Sequence, residues 1–450
     1  MAERLVVIGG DAAGMSAATN ARRGRPDLEI VVLEKGPDTS YSACGIPYVV
    51  GGMVPEVDDL VVRTPQELRD QFRLDVRMRH EVVGIDLDSR RVEVRAIDQQ
   101  RDLQLGFDLL HIATGARPLR PDLPGIHGPG IFGVQNLEDA RVILASMASQ
   151  RVRDVVVVGA GYIGLEMAEA FVEREARVVM IDASPQPMRT LDPEMGALVA
   201  ASARRFGIDV RLGASVTGFS PGVVHTADGD LRSDLTILGI GVVPNSALAI
   251  DAGIEAGARG AIRVDARQRT SREGIYAAGD CADVLHLVSG QRVHVALGTV
   301  ANKTGRVAGT NLGGGYERFG GIVGTAITRV CDVEIARTGL NEAEARAAGI
   351  EFHAGTIDGT TRAGYFPTAK PLRAKLLIER STERLLGGQI VGEDRAGKRI
   401  DTLATAITAG MTASELIDLD LAYAPSVTPL WDAFQLAARE ALRQARRPRR

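Results

Sequence analysis

Cys44 is the residue of this chain best suited to do chemistry. It sits in the run Ser40-Tyr41-Ser42-Ala43-Cys44-Gly45-Ile46-Pro47, among small residues, with a glycine and a proline after it to shape the backbone. A thiolate is a nucleophile and an electron acceptor, yet most lone cysteines are small buried hydrophobes. Position lifts Cys44 above that background. It follows one strand–glycine turn–helix unit and precedes a second. A thiol just past one dinucleotide site, in a chain that carries two, points to electron transfer to sulfur. Cys281 and Cys331 are widely spaced from it and form neither a disulfide framework nor a zinc site. They read as buried structural thiols, and no metal is expected.

The first unit runs from the apolar strand Leu5–Ile8 through Gly9-Gly10-Asp11-Ala12-Ala13-Gly14 into a helix over Met15–Arg23. A strand over Glu29–Leu33 follows and ends at Glu34. A tight turn at a helix N-terminus offers free N–H groups and the positive end of the helix dipole to a pyrophosphate, and the acid accepts a ribose hydroxyl. Asp11 occupies the place usually taken by the second glycine. A carboxylate there repels phosphate, so it is expected to point away.

The second unit is complete. Strand Asp154–Val158 leads into Gly159-Ala160-Gly161-Tyr162-Ile163-Gly164, a helix over Leu165–Glu173, and a strand over Arg177–Ile181 ending at Asp182. The acid lies 18 residues past the last glycine. It favours the free 2′-hydroxyl of NADH over the 2′-phosphate of NADPH. The nearest cation that could offset it is Arg189.

The elements around these units set the organisation. Residues 107–115 read as a strand ending in a small-residue turn, and 117–130, rich in proline and glycine, as a connection into a new domain. Leu235–Gly241 is a further strand. Gly274–Asp280 is another, ending in Gly279-Asp280, where an acid could reach a second part of the first nucleotide. Beyond Gly321 the texture changes to strands over 325–337, 351–356, 373–379 and 385–391 and helices over 400–409 and 429–444, an α+β region. The expected fold is α/β with two Rossmann-like units and a C-terminal α+β dimerisation domain. The expected division is 1–117 with 244–320, then 118–243, then 321–450.

At 450 residues, 45% hydrophobic and 24% charged, the composition is that of a multidomain globular protein. A net charge of −4 gives no reason to expect nucleic acid or an anionic membrane as partner. The basic run Arg443, Arg446, Arg447, Arg449, Arg450 reads as a solvated end. The first strand begins too early to leave room for a signal peptide, and three dispersed cysteines suit a reducing cytoplasm.

Two dinucleotide units, Gly279-Asp280 and a C-terminal α+β region resemble the flavoprotein pyridine nucleotide–disulfide oxidoreductases over essentially the whole chain. Members with two redox cysteines space them Cys-x4-Cys. Here that place holds Val49, so the chain is similar to the single-cysteine branch: coenzyme A disulfide reductases, NADH oxidases and peroxidases. Ala422-Tyr423-Ala424-Pro425, Lys398-Arg399-Ile400-Asp401 and Gly364-Tyr365-Phe366-Pro367 resemble segments of the coenzyme A disulfide reductases. Ala43 departs from an asparagine found in some members. No rhodanese-like domain is expected to follow.

The resemblance implies FAD held by Gly9, Gly10, Ala12, Ala13, Gly14, Glu34, Lys35, Thr114, Gly115, Gly279, Asp280 and Ala296. It implies NADH held by Gly159, Gly161, Tyr162, Ile163, Gly164 and Asp182, with Tyr162 moving aside and Glu166 near the nicotinamide. Cys44 would cycle through a mixed disulfide with coenzyme A, its pKa lowered by the flavin, a helix end or a tyrosine. Tyr423 and Tyr365 would protonate the released thiolate across a homodimer interface. Ser16, Asn20, Arg22, Arg23, Ser42, Arg63, Arg362, Lys398 and Arg399 would hold the anionic substrate, coenzyme A disulfide. The alternatives are a coenzyme A-linked persulfide or a polysulfide as acceptor, an NADH oxidase or peroxidase with a sulfenic acid at Cys44, and a redox sensor or partner-binding subunit with little turnover.

Overall fold

A computed structural model describes residues 3–149 and 151–446. The arginines at 447, 449 and 450 of the basic run lie outside the described residues. Three five-stranded sheets organise the chain.

The first sheet is parallel. Its strands lie in the order Ile275–Ala277, Leu109–Ile112, Arg4–Ile8, Glu29–Leu33, Asp75–Arg77. The first-listed strand comes from beyond the whole second unit, so the first unit is interrupted in sequence. The second sheet, also parallel, has the order Asp209–Leu212, Arg177–Asp182, Asp154–Val158, Leu235–Leu238, Ile131–Gly133. Both central strands are apolar and buried after their first residues, Arg4 and Asp154, as burial on two faces requires. The chain leaves and re-enters the first unit through two short strands, Ala116–Pro118 and Val242–Pro244, which pair antiparallel.

The helix Ala12–Gly24 starts three residues before the expected one. It packs along Gly298–Leu312, with glycines of the second helix set against alanines of the first. A Cβ added at Gly305 or Gly309 would lie 2.4 Å from the Ala13 or Ala17 carbonyl oxygen. This close approach fixes the fingerprint helix against the segment that follows Asp280. Helices Leu137–Ser149 and Pro193–Arg205 were not anticipated.

The third sheet is antiparallel, in the order Ala326–Val330, Val333–Gly339, Leu385–Gly392, Pro371–Glu379, Phe352–Thr360. The single strand expected over 325–337 is a hairpin instead, turning at Cys331, whose φ is +55°. The last helix begins at Ala433, not at 429, because Asp432 and Gln435 form a capping box. Gly355 allows that helix to lie on the sheet, since a Cβ there would meet Ala437 O at 2.0 Å. Buried Lys375 ties this region to the second unit, its Nζ 2.9 Å from Asp192, 2.5 Å from Glu194 and 2.6 Å from Glu342. Those three carboxylates converge as metal ligands might, but their shared cation is the lysine.

Candidate active site

The two glycine turns are built alike. Gly9 and Gly159 have φ of +101° and +103°, and a Cβ on either would sit 2.2 or 2.4 Å from the carbonyl of Ala113 or Gly239. A Cβ on Gly14 or Gly164 would lie 1.9 or 2.0 Å from the carbonyl of Gly9 or Gly159. Only glycine fits these places. In the first unit Glu34 accepts N–H bonds from Gly10 (2.7 Å) and Gly36 (2.6 Å). In the second, Asp182 accepts from Ala160 and Ser184, both at 2.7 Å. Each acid is thus fastened beside the turn where a ribose would lie. Both cradles fit a dinucleotide.

Asp11 resolves the misfit in the first fingerprint. Its carboxylate turns to accept the Tyr41 N–H at 3.2 Å. Burial, with smaller contributions from Glu34 and Asp280, pushes its pKa up to about 6. Gly279 brings the strand-end turn onto the fingerprint helix, with a would-be Cβ 2.8 Å from Ala13 Cβ. Burial raises Asp280 to about 6 as well. His294 Nε2 contacts Asp280 O at 2.7 Å and tethers the segment leading to Ala296. Thr114 Oγ1 donates to Asn245 O, and Gly115 has a φ of +68°. Lys35 is exposed and pairs with Glu81 at 3.6 Å.

Cys44 lies in a 3-10 turn, Ala43–Gly45, that runs into the short helix Ile46–Gly51. The turn is pinned on both sides. Upstream, Tyr41 N bonds Asp11, and Ser42 N donates to Leu60 O at 2.8 Å. Downstream, the short helix packs on the second fingerprint helix, where Arg174 Nε donates to Val50 O at 2.9 Å. The thiol therefore stands at the junction of the two units. It is exposed, whereas Cys281 and Cys331 are buried. The groups of this chain alone push its pKa up. Burial of its neighbourhood raises it, and the carboxylates of Glu166, Asp280 and Asp11 add to the rise. No cation is among the groups that most shift it.

Glu166, four residues into the helix Tyr162–Glu173, is largely buried and its pKa is raised by desolvation. Thr328, from the third sheet, donates to its carboxylate. Nothing in the sequence marks Thr328, which is 162 residues away. Tyr162 opens the same helix. Its hydroxyl is buried without a hydrogen-bond partner among the described residues, which suits a side chain that can swing. Ile163 beside it is half-buried, and Gly161 caps the helix.

Tyr423 and Tyr365 are brought together on an exposed face of the third region, close enough for Tyr365 to add to the desolvation that raises the pKa of the Tyr423 hydroxyl. Arg362 laces their loops. It donates to Thr368 O at 2.7 Å and Ser426 O at 2.8 Å and pairs with Asp394. The same face exposes Val427, Leu430 and Trp431.

The cations expected to hold substrate divide into two groups. Arg23 and Arg63 flank the Phe72 ring at 5.8 and 5.5 Å, and Asn20 Oδ1 accepts from Arg23 at 3.2 Å. Neither guanidinium makes an ion pair among the described residues, so both can meet an anion. Arg22 cannot, because its guanidinium donates to four carbonyls, those of Pro26, Leu28, Phe72 and Arg73. Arg399 is likewise committed to Asp432, Arg395 O and Thr361 O. Arg362 is a loop clamp, Lys398 pairs with Asp401 on the surface, and the Ser16 hydroxyl donates to Asn302 O. Ser42 is exposed two residues before the thiol.

The sequence profile of the pyridine nucleotide-disulphide oxidoreductases matches residues 3–305, and that of their dimerisation domain matches residues 325–433. The chain belongs to this family. The family implies FAD and a reduced nicotinamide nucleotide as cofactors. Among relatives of this pyridine nucleotide-disulphide oxidoreductase, the CoA-dependent NAD(P)H sulfur oxidoreductase of Pyrococcus furiosus is 37% identical, over 97% of this chain and 98% of its own. The structure of reduced CoADR-RHD from Bacillus anthracis superposes with a TM-score of 0.96 at 32% identity, covering 99% of this chain and 81% of that one. An engineered water-forming NADPH oxidase, made from the Lactobacillus brevis NADH oxidase and bound to NADPH, superposes with a TM-score of 0.94 at 27% identity, covering 98% and 99%. No described helix is long and apolar enough to cross a membrane.

Proposed function

We propose that this enzyme reduces coenzyme A disulfide, or a coenzyme A-linked persulfide, through Cys44 alone. The observation that carries the reading is the placement of one exposed thiol between the two dinucleotide cradles, in the fields of Asp11 and Asp280 from one and Glu166 from the other. FAD supplies two-electron transfer between nicotinamide and sulfur. Gly9, Gly14, Glu34, Gly279 and Asp280 are its holders, and Gly159, Gly164 and Asp182 those of the nicotinamide nucleotide. We assign the first function to residues 1–117 with 244–320, the second to 118–243, and dimerisation to 321–450.

In this account the Cys44 thiolate attacks one sulfur of coenzyme A disulfide. The substrate S–S bond breaks, a Cys44–coenzyme A disulfide forms, and a coenzyme A thiolate leaves. The neighbouring Tyr365 and Tyr423 give that thiolate its proton from across a homodimer interface, which the apolar face around Trp431 would close. Two electrons then cleave the mixed disulfide and return Cys44 as thiolate with a second coenzyme A. Because Glu166, Asp280 and Asp11 oppose ionisation, the thiolate draws its stabilisation from hydrogen-bond donors, the tyrosines among them. Arg23, Asn20 and Arg63 meet the substrate's phosphates. The setting is a reducing cytoplasm. Asp182 makes NADH the first donor, and the similarity to an NADPH oxidase leaves room for a second.

Intact-protein mass spectrometry tests this. Exposure to coenzyme A disulfide adds one coenzyme A to the reduced wild type and none to Cys44→Ser. An adduct on Cys281 or Cys331 instead, or none at all, counts against the reading.

A further inference from the structure

We propose that Arg189, assisted by Ser184, receives the 2′-phosphate of NADPH, so that the second cradle accepts both coenzymes despite Asp182. This rests on the reading of that cradle as the nicotinamide nucleotide site.

The loop after Asp182 is folded back onto the glycine turn. Ala160 N donates to Asp182, and Ala160 O in turn accepts the Met188 N–H at 2.8 Å. Met188 takes a left-handed φ of +52° to make that contact, which no glycine eases. Gln186 Nε2 donates to Leu191 O at 2.8 Å and holds the loop closed. One side of Asp182 therefore carries Ser184, and the returning strand of the loop carries Arg189. Both line one cleft of about 600 Å³.

An exposed arginine is ordinarily a solvated charge. Arg189 differs from its neighbours in being uncommitted. Across the cleft Arg346 pairs with Glu342. Arg189 has no side-chain hydrogen bond or ion pair among the described residues. The three acids of the cleft, Asp192, Glu194 and Glu342, are met by Lys375 and Arg346, and Arg189 brings the cleft to charge balance. Asp182 itself is quenched in part by two N–H donors, which weakens its repulsion of a phosphate. Arginine suits a phosphate through its planar fork.

The engineered NADPH oxidase supplies an independent observation. Its five changes replace a glycine, an aspartate eighteen residues later, the alanine and methionine that follow, and a proline seven residues past the aspartate. The methionine became serine and the proline became arginine. Here Gly164, Asp182, Ala183, Ser184 and Arg189 fall at the same spacing. The first three match the parent oxidase, and the last two match the NADPH-bound form.

Calorimetric titration of the holoenzyme with 2′,5′-ADP and with 5′-ADP tests the assignment, beside anaerobic flavin reduction by each coenzyme. Arg189→Ala is expected to weaken 2′,5′-ADP by about tenfold or more and to raise KM for NADPH similarly, with 5′-ADP and NADH held within about twofold. Arg189→Lys restores part of the loss, and Ser184→Ala costs less. Equal weakening of both fragments, or no weakening of either, overturns the proposal, as does a wild type that does not bind 2′,5′-ADP. If NADH still reduces the flavin in that case, only the role of Arg189 falls. If neither coenzyme does, the reading of the whole cradle falls with it.

Discussion

Thr328 Oγ1 donates a hydrogen bond to Glu166 Oε1 at 2.5 Å, joining the third sheet to the second fingerprint helix, whose Glu166 bears on Cys44. Burial raises the Glu166 pKa and this bond lowers it. Removing the donor in Thr328→Val therefore moves Glu166 further up. The ionised form is then lost at a higher pH on acidification. The acid limb of kcat/KM for NADH is expected to shift upward by about half to one pH unit, while Thr328→Ser keeps the wild-type profile. Glu166→Gln removes the largest carboxylate contribution at Cys44, so the thiol pKa falls, read from the pH dependence of iodoacetamide alkylation. Unchanged profiles in both variants would detach Glu166 from the site.

Asp11 has a folded pKa of about 6, above the ordinary 3.8 of an aspartate. The folded state binds this proton more tightly than the unfolded chain. Above pH 6 the buried charge costs stability, and the cost disappears as pH falls towards 4. Asp11→Asn keeps an acceptor for Tyr41 N and removes the charge. It is expected to raise stability at pH 8 by about 1–2 kcal/mol and to change it little at pH 4, in denaturant melts at both pH values. A loss of stability at pH 8 would mean that the ionised carboxylate is needed.

Arg362 binds two loops rather than substrate. Arg362→Ala releases the bonds to Thr368 O and Ser426 O and leaves Asp394 without its partner. Hydrogen exchange of residues 361–370 and 422–428 should quicken together. Turnover of coenzyme A disulfide should fall as far as it does in Tyr423→Phe, with flavin reduction by NADH unaltered. Arg362→Lys should not restore it, because one ammonium cannot span three acceptors in fixed directions. Protected loops in the alanine variant would return Arg362 to the substrate.

The parts of this fold that were legible in sequence are those where geometry allows one residue type. Gly9, Gly14, Gly159 and Gly164 are glycines because a Cβ would overlap a carbonyl, and Glu34 and Asp182 are acids because they answer a turn N–H. Their spacing therefore survives as a motif. Cys44 was legible by its position after the first of those motifs. The fates of Arg22, Arg362 and Arg399 were not, since a sequence records a guanidinium but not the carbonyls that tertiary structure brings to it. Thr328 left no signal, because an ordinary strand threonine becomes a site residue only when the hairpin docks on Glu166. The helix Pro193–Arg205 escaped because Gly196, Ala200, Ser202 and Ala203 blur its apolar period. Its buried face sets only Met195 and Val199 among four small residues.

The central claim is that one thiol carries electrons from a nicotinamide nucleotide to a coenzyme A-linked sulfur. Anaerobic oxidation of NADH with coenzyme A disulfide as sole acceptor tests it most directly, with Cys44→Ser measured beside the wild type. Rapid wild-type turnover that releases two coenzyme A thiols per NADH and vanishes in the variant is the predicted result. A wild type that stays idle with this acceptor but consumes NADH with oxygen or peroxide would contradict the account, as would a Cys44→Ser variant that turns over undiminished.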